Sequence, residues 1–174
     1  MTSLAVGLLI LRLGFAGLLF GHSTQKLFGW FRGGGPVGSG VLFETWGFRP
    51  GTTLAVVAGV CELLGAASIA LGLLTVGGCA LLIGTMIVAA SPNAKNGLWA
   101  HLGGNEVPVA YAFLAVVLAF TGPGRYSIDN AIGLTNHIGI GWSIAAVVVG
   151  GLAAIPMLLR RRAALRPQQT EVKP

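Results

Sequence analysis

The sequence predicts an all-α membrane protein: a four-helix transmembrane bundle core followed by a fifth, C-terminal transmembrane helix. Three observations carry that prediction. Of the 174 residues, 54% are apolar and only 9% are charged, whereas a soluble domain carries about 25% charged residues to cover a water-facing surface. Five apolar stretches approach the roughly 20 residues that a helix needs to cross a bilayer: residues 4–21, 52–74, 76–91, 107–121 and 138–159. The basic residues, finally, fall almost entirely at one set of helix ends.

In chain order, the first stretch reads as a retained span rather than a cleaved signal. Its leader, Met1-Thr2-Ser3, has no basic side chain, and Arg12 interrupts the apolar run. Residues 22–51 form a long loop rich in aromatics (Phe28, Trp30, Phe31, Phe43, Trp46, Phe48) with a break at Gly33-Gly34-Gly35-Pro36. Glycine and proline cannot continue a helix there, so two short interfacial segments are expected, the second lying on the membrane surface near residues 41–46. The second and third spans are nearly continuous and need a tight turn over residues 74–78. The third and fourth are short and call for little tilt or close packing. Residues 1–130 then form the four-helix domain, 131–162 hold the added helix, and the polar tail 163–174, with Pro167 and Pro174, is expected to be disordered.

Orientation follows from the distribution of Lys and Arg in short loops. With the N-terminus outside, the inner face receives Lys26, Arg32, Arg49, Lys95, Arg160, Arg161, Arg162, Arg166 and Lys173, and the outer face only Arg125. The expected setting is therefore the inner (plasma) membrane, multi-pass, with a cytoplasmic C-terminus. The net charge of +6 needs no nucleic-acid partner, because the aromatics sit in apolar runs and not among the basic residues. Cys61 and Cys79 read as small buried apolar residues at different depths. No HExxH or cysteine cluster points to a metal, and His137 is expected on the opposite side from His22 and His101. Gly33-Gly34-Gly35 lacks the GK[ST] of a phosphate loop.

The informative residues are charged ones inside apolar helices. A lone Arg or Glu at mid-bilayer costs about 2.5–3.5 kcal/mol or more, and pairing offsets much of it. Arg12 and Glu62 each lie near the middle of a span, so an Arg12–Glu62 ion pair is expected, either as a clamp fixing helix register or as part of a proton or substrate site. A second group, His22, Lys26, Lys95, His101 and Glu106, is expected at similar depth near the inner interface. Lys26 and Lys95 could hold an anion there while Glu106 and a histidine handle protons; the structural alternative is a rim of snorkelling side chains. Catalytic candidates are thus Arg12, Glu62, Lys26 and Glu106. Gly14, Gly17 and Gly21, with a GxxxG at 17–21, are expected to pack helices closely within the bundle or between two copies.

Taken in order, several motifs resemble the DoxX family of bacterial membrane proteins. They are Arg12-Leu13-Gly14, Gly21-His22, Gln25-Lys26-Leu27-Phe28-Gly29, Gly34-Gly35-Pro36, Glu62-Leu63-Leu64-Gly65, Leu71-Gly72-Leu73-Leu74-Thr75, Ala94-Lys95-Asn96-Gly97-Leu98-Trp99, Gly103-Gly104-Asn105-Glu106-Val107-Pro108 and the stretch from Thr121 to Asp129. The resemblance covers roughly the first 130 residues and implies a compact four-helix bundle. Two departures stand out: His22-Ser23-Thr24 where many relatives read His-Gly, and Asn93 where many carry a histidine. Some relatives look like subunits of a thiosulfate:quinone oxidoreductase. Others are associated with a complex of superoxide dismutase and a sulfurtransferase. The resemblance thus implies a redox or oxidative-stress-associated membrane subunit acting with protein partners, with a quinone or small anionic sulfur compound as its expected ligand and no other cofactor. The alternatives are a non-catalytic scaffold that recruits soluble enzymes, or a small transporter, although no internal repeat supports the latter.

Overall fold

The structure, a computed structural model, describes residues 2–166; the rest of the polar tail lies outside the described residues. The described chain is helical throughout its regular segments: α1 (Thr2–Leu27), α2 (Gly35–Thr45), α3 (Gly51–Leu71), α4 (Thr75–Ala90), α5 (Glu106–Thr121), α6 (Ile128–Ala131) and α7 (Ile140–Ala164). Three helices are long and apolar enough to cross a membrane, over Ser3–Leu27, Gly51–Leu71 and Ile140–Ala164. At 16 residues, α4 and α5 are roughly 24 Å long and predominantly apolar.

α1 and α3 run antiparallel, as do α3 and α4, whereas α7 runs in the same direction as α4. α1 packs along α3, α3 along α4, and α4 along both α5 and α7; α2 lies against α3. The buried cluster draws Phe15, Ala16 and Leu19 from α1, Ala66 and Ile69 from α3, Leu82 and Met86 from α4, and Ala115 and Leu118 from α5, with Ala146 of α7 closing it. Outward faces are equally apolar: Leu4, Ile10, Leu64, Phe113, Val149 and Leu152 are all exposed. A helix that is hydrophobic all round belongs in lipid, where its backbone polar groups are satisfied internally.

Small residues set the closest approaches, but not those of α1. A methyl group on Gly150 would sit 2.6 Å from the Ala80 carbonyl, and one on Gly84 would sit 2.8 Å from the Gly150 carbonyl. α4 and α7 therefore touch backbone to backbone. By contrast, Gly7, Gly14, Gly17 and Gly21 face open space, so the GxxxG expected to pack within the bundle points away from it. α1 also runs six residues beyond the predicted span, which puts His22 and Lys26 inside the helix. In the following loop a short turn at Trp30–Arg32 precedes α2, which starts at Gly35, earlier than the expected surface segment.

One end of the bundle is tied together by Arg12, which is 1% exposed. Its Nε donates to the Ile69 carbonyl (2.8 Å), Nη2 to Ala70 O (2.8 Å), and Nη1 to both Pro123 O and Tyr126 O (2.7 Å each). Asp129 completes the knot: Oδ1 accepts from Leu74 N–H (2.7 Å), Oδ2 from Thr75 N–H (2.9 Å), and its own N–H donates to Gly72 O (2.8 Å). The carboxylate thereby caps the N-terminus of α4 and holds Leu74 at φ 50°, a left-handed conformation that a leucine rarely adopts. Gly72, at φ 60°, leaves room for the guanidinium; a methyl there would lie 2.6 Å from Nη2.

The expected Arg12–Glu62 pair is therefore absent. Helix side chains lean toward their own N-terminus, so Arg12 of α1 and Glu62 of α3, on antiparallel helices, lean toward opposite ends. The register adds to this, for Arg12 lies level with Gly72, ten residues along α3 from Glu62, or roughly 15 Å.

Arg12→Lys should lower stability by about 2–4 kcal/mol, because one ammonium cannot replace a fork spanning four carbonyls and leaves some of them buried without a donor. Thermal unfolding in detergent checks this; an unchanged midpoint would show that the knot contributes little.

Candidate functional site

The opposite end holds the second buried charge. The last turns of α1 carry Ser23 and Thr24, both fully buried, whose hydroxyls bond the helix's own carbonyls: Ser23 to Phe20, and Thr24 to Phe20 and Gly21. This satisfies them without a partner helix and lets α1 lie close to α3, where Gly59 faces Leu27 and Lys26. From there Lys26 Nζ reaches Glu62 Oε2 at 2.7 Å and also donates to the His22 carbonyl at 3.2 Å. The Glu62 side chain is 4% exposed and that of Lys26 is 21% exposed. The other carboxylate oxygen, Oε1, accepts no bond from the described residues, and Glu62 lines the space beside the pair.

That space is a cavity of about 510 Å³. Its polar lining comes from His22, Lys26, Glu62, Cys61, Thr85, Asn93 and Tyr111, and the rest is mostly apolar. His22 meets the Tyr111 ring edge-on at 5.7 Å, and Tyr111 meets Phe15 at 5.5 Å, so α5 supplies a stiff aromatic wall opposite α3. α3 and α7 both pack along α4, and the cavity runs over α4 between them. Val57 on one lip and Ala153 on the other are exposed. An apolar cleft with a few convergent polar groups at one end is the usual form of a small-molecule site. The pair can present a cation, a carboxylate and a hydrogen-bond donor to the same bound group.

Of the five residues expected to form an anion pocket, only His22 and Lys26 line this cavity. Lys95 and His101 are exposed. Residues 94–105 fold on themselves as two short turns: Asn96 Nδ2 donates to Gly103 O (3.0 Å), and Glu106 Oε2 accepts from Ala100 N–H (2.9 Å). Glu106 is thereby occupied in holding its loop. Arg12 lies at the far end and is engaged by backbone carbonyls. Cys61, read from sequence as a structural residue, is half-buried in the cavity wall. Thr85 and Tyr111 carried no sequence signal, since each sits in an ordinary apolar helix. Asn93 had one: the resemblance singles it out as a departure from the expected pattern, and it lines the cavity.

These features define a small helical integral membrane protein with a buried ion pair at the polar end of an apolar cavity. The chain belongs to the DoxX family, whose pattern matches residues 7–102, just over half its length. That match spans α1 to α4, including both members of the pair, and stops before α5 and α7. No curated protein and no solved structure matches this sequence.

Lys26→Met and Glu62→Met should each destabilise the protein by about 2–4 kcal/mol, since each leaves an unpaired charge in a low-dielectric wall. The double variant should recover much of that loss. Unfolding midpoints of the four proteins in one detergent check the cycle, and purely additive losses would show that the two groups do not interact.

Proposed function

We propose that this protein is a multi-pass subunit of the plasma membrane, associated with redox or thiol and oxidative-stress metabolism, that holds a quinone in the Lys26–Glu62 cavity and works with partner proteins. The observation that carries the reading is a buried ion pair with one carboxylate oxygen left without a donor among the described residues, at the end of a cavity that is otherwise apolar and reaches the lipid-facing surface. The apolar wall favours a quinone over a small anionic sulfur compound, for which it offers few further donors. A quinone supplies two-electron acceptor chemistry when bound. The chain supplies Lys26 as a donor to a quinone oxygen, Glu62 as a carboxylate able to carry a proton, and His22 and Tyr111 as a wall that orients a flat ring. Family membership supports the redox association.

The same reading takes α1, α3, α4 and α5 as a four-helix transmembrane core and α7 as a fifth span, with α2 on the membrane surface. It places the N-terminus outside and the C-terminus in the cytoplasm. In support, Lys26, Arg32, Arg49, Lys95 and the arginines ending α7 share one end of the bundle, as expected for the inner face.

A water-soluble menaquinone analogue titrated into the purified protein should quench tryptophan fluorescence, since Trp46 lines the cavity, and Glu62→Gln should weaken binding about tenfold, the loss of one charge-assisted contact. Thiosulfate should neither bind nor compete. No saturable binding of the quinone analogue would overturn the quinone reading.

For the orientation, Cys61 and Cys79 are first replaced by alanine. A membrane-impermeant maleimide applied to intact cells should then label a cysteine at Asn136 and spare one at Arg166. The reverse pattern would invert the layout.

A further inference from the structure

The end of α7 carries three arginines, Arg166 follows just beyond it, and the fold brings a fifth to them. Arg160 Nη2 donates to the Arg49 carbonyl at 3.2 Å, which sets the α2–α3 loop beside the last turns of α7. Arg161 does the fastening: its Nε donates to Trp46 O at 2.8 Å, and its guanidinium lies 5.8 Å from the centre of the Phe48 ring. Leu165 packs over Gly47. Arg49, Arg160, Arg162 and Arg166 are left exposed. Among the described residues the one salt bridge is Lys26–Glu62, so none of these arginines is paired with a carboxylate of those residues. The nearest acidic residue in the loop's own sequence, Glu44, accepts the Gly51 N–H (3.2 Å).

The positions of these arginines matter as much as their number. Trp46 and Phe48, which hold Arg161, also line the cavity, as does Met157, one helical turn before Arg161. The cationic cluster thus sits at the mouth of the groove between α3 and α7, whose sides at this level are Leu54, Val57, Ala153 and Ala154. Positive groups at the interface directly above an apolar channel complement one kind of molecule: a negatively charged head joined to a hydrocarbon chain.

We propose that Arg49 and Arg160 bind the phosphate of an anionic phospholipid, with one acyl chain lying along the groove between α3 and α7, and that Arg162, two residues on in the same helix, adds to the positive field. Guanidinium forks match phosphate oxygens, and basic groups between helices at the membrane face favour anionic headgroups. Arg161 organises the site and is already committed to the loop. The acyl chain shares its groove with the proposed quinone cavity, but the headgroup site rests on α7 and the α2–α3 loop and not on Lys26 or Glu62, so failure of the quinone titration leaves it standing.

The test uses the full chain purified without anionic lipid. Its probes are dioleoyl phosphatidylglycerol, dioleoyl phosphatidylcholine, the free headgroup glycerophosphoglycerol and inorganic phosphate. Native mass spectrometry should show retained phosphatidylglycerol adducts, and the unfolding midpoint should rise with that lipid alone. The variant R49Q/R160Q/R162Q, with its fold checked by circular dichroism and gel filtration, should need about tenfold or more phosphatidylglycerol for the same occupancy. R125Q, a charge removed from the opposite end, controls for net charge and should behave as the wild type. Equal retention of the two lipids, wild-type affinity in the triple variant, or the same stabilisation by glycerophosphoglycerol or inorganic phosphate would each overturn the proposal.

Discussion

The guanidinium of Arg12 is the constraint on which the rest of the bundle depends. In lipid, no water is available to take up a stray charge or an open carbonyl, so every polar group must find its partner in the protein. Arg12 meets that requirement by gathering carbonyls from the end of α3 and from the loop after α5. Asp129 returns a carboxylate from that same loop to the first N–H groups of α4. One charge of each sign therefore closes three orphaned backbone ends. Because the knot fixes how α1 lies against α3, it also fixes the register that brings Lys26 level with Glu62 at the other end.

The two charged centres have different characters. Arg12 commits four of its five N–H donors to rigid backbone acceptors and is buried away from any ligand. Glu62 is bonded through one oxygen only, and its partner Lys26 sits on a flexible stem in the last turn of its helix. A polar group that keeps spare bonding capacity beside an apolar cavity is suited to exchange partners, whereas one committed to rigid acceptors is suited to hold geometry. The glycines sort in the same way. Gly84 and Gly150 bring α7 onto α4, and α7 then supplies the Ala153, Ala154 and Met157 side of the cavity, so a helix outside the family-matched segment contributes to the candidate site.

Sequence reading recovered the helices well because apolar length and flanking breakers are local signals; α4 and α5 begin and end within a residue of the predicted stretches. It also identified Arg12 and Glu62 as residues needing explanation, on the cost of burying charge, and Lys26 as one of a group at the inner interface. It mispaired them because mid-span position says nothing about side-chain lean or about register, both of which depend on the partner helix. Lys95, His101 and Glu106 share an end of the bundle with Lys26, but a loop that bonds to itself keeps them from the cavity, and those bonds involve turns that composition does not reveal. Ser23 and Thr24 explain why α1 outlasts its predicted end: hydroxyls that bond back to the helix let polar residues stay in it. Tyr111 and Thr85 were invisible because each is one polar atom on an apolar helix, and only packing shows which way it faces.

The distances along the chain between Arg12 and its acceptors have a consequence for biogenesis. Ile69 and Ala70 lie 57 and 58 residues downstream, and Pro123 and Tyr126 lie 111 and 114 residues downstream. As synthesis proceeds from the N-terminus, α1 enters the bilayer with a cation that has none of its eventual partners. It gains two when the end of α3 has been made, and the last two only after α5 and the loop that follows it. A chain shorter than 126 residues therefore lacks at least one of these acceptors, and this end of the bundle can close only late in synthesis.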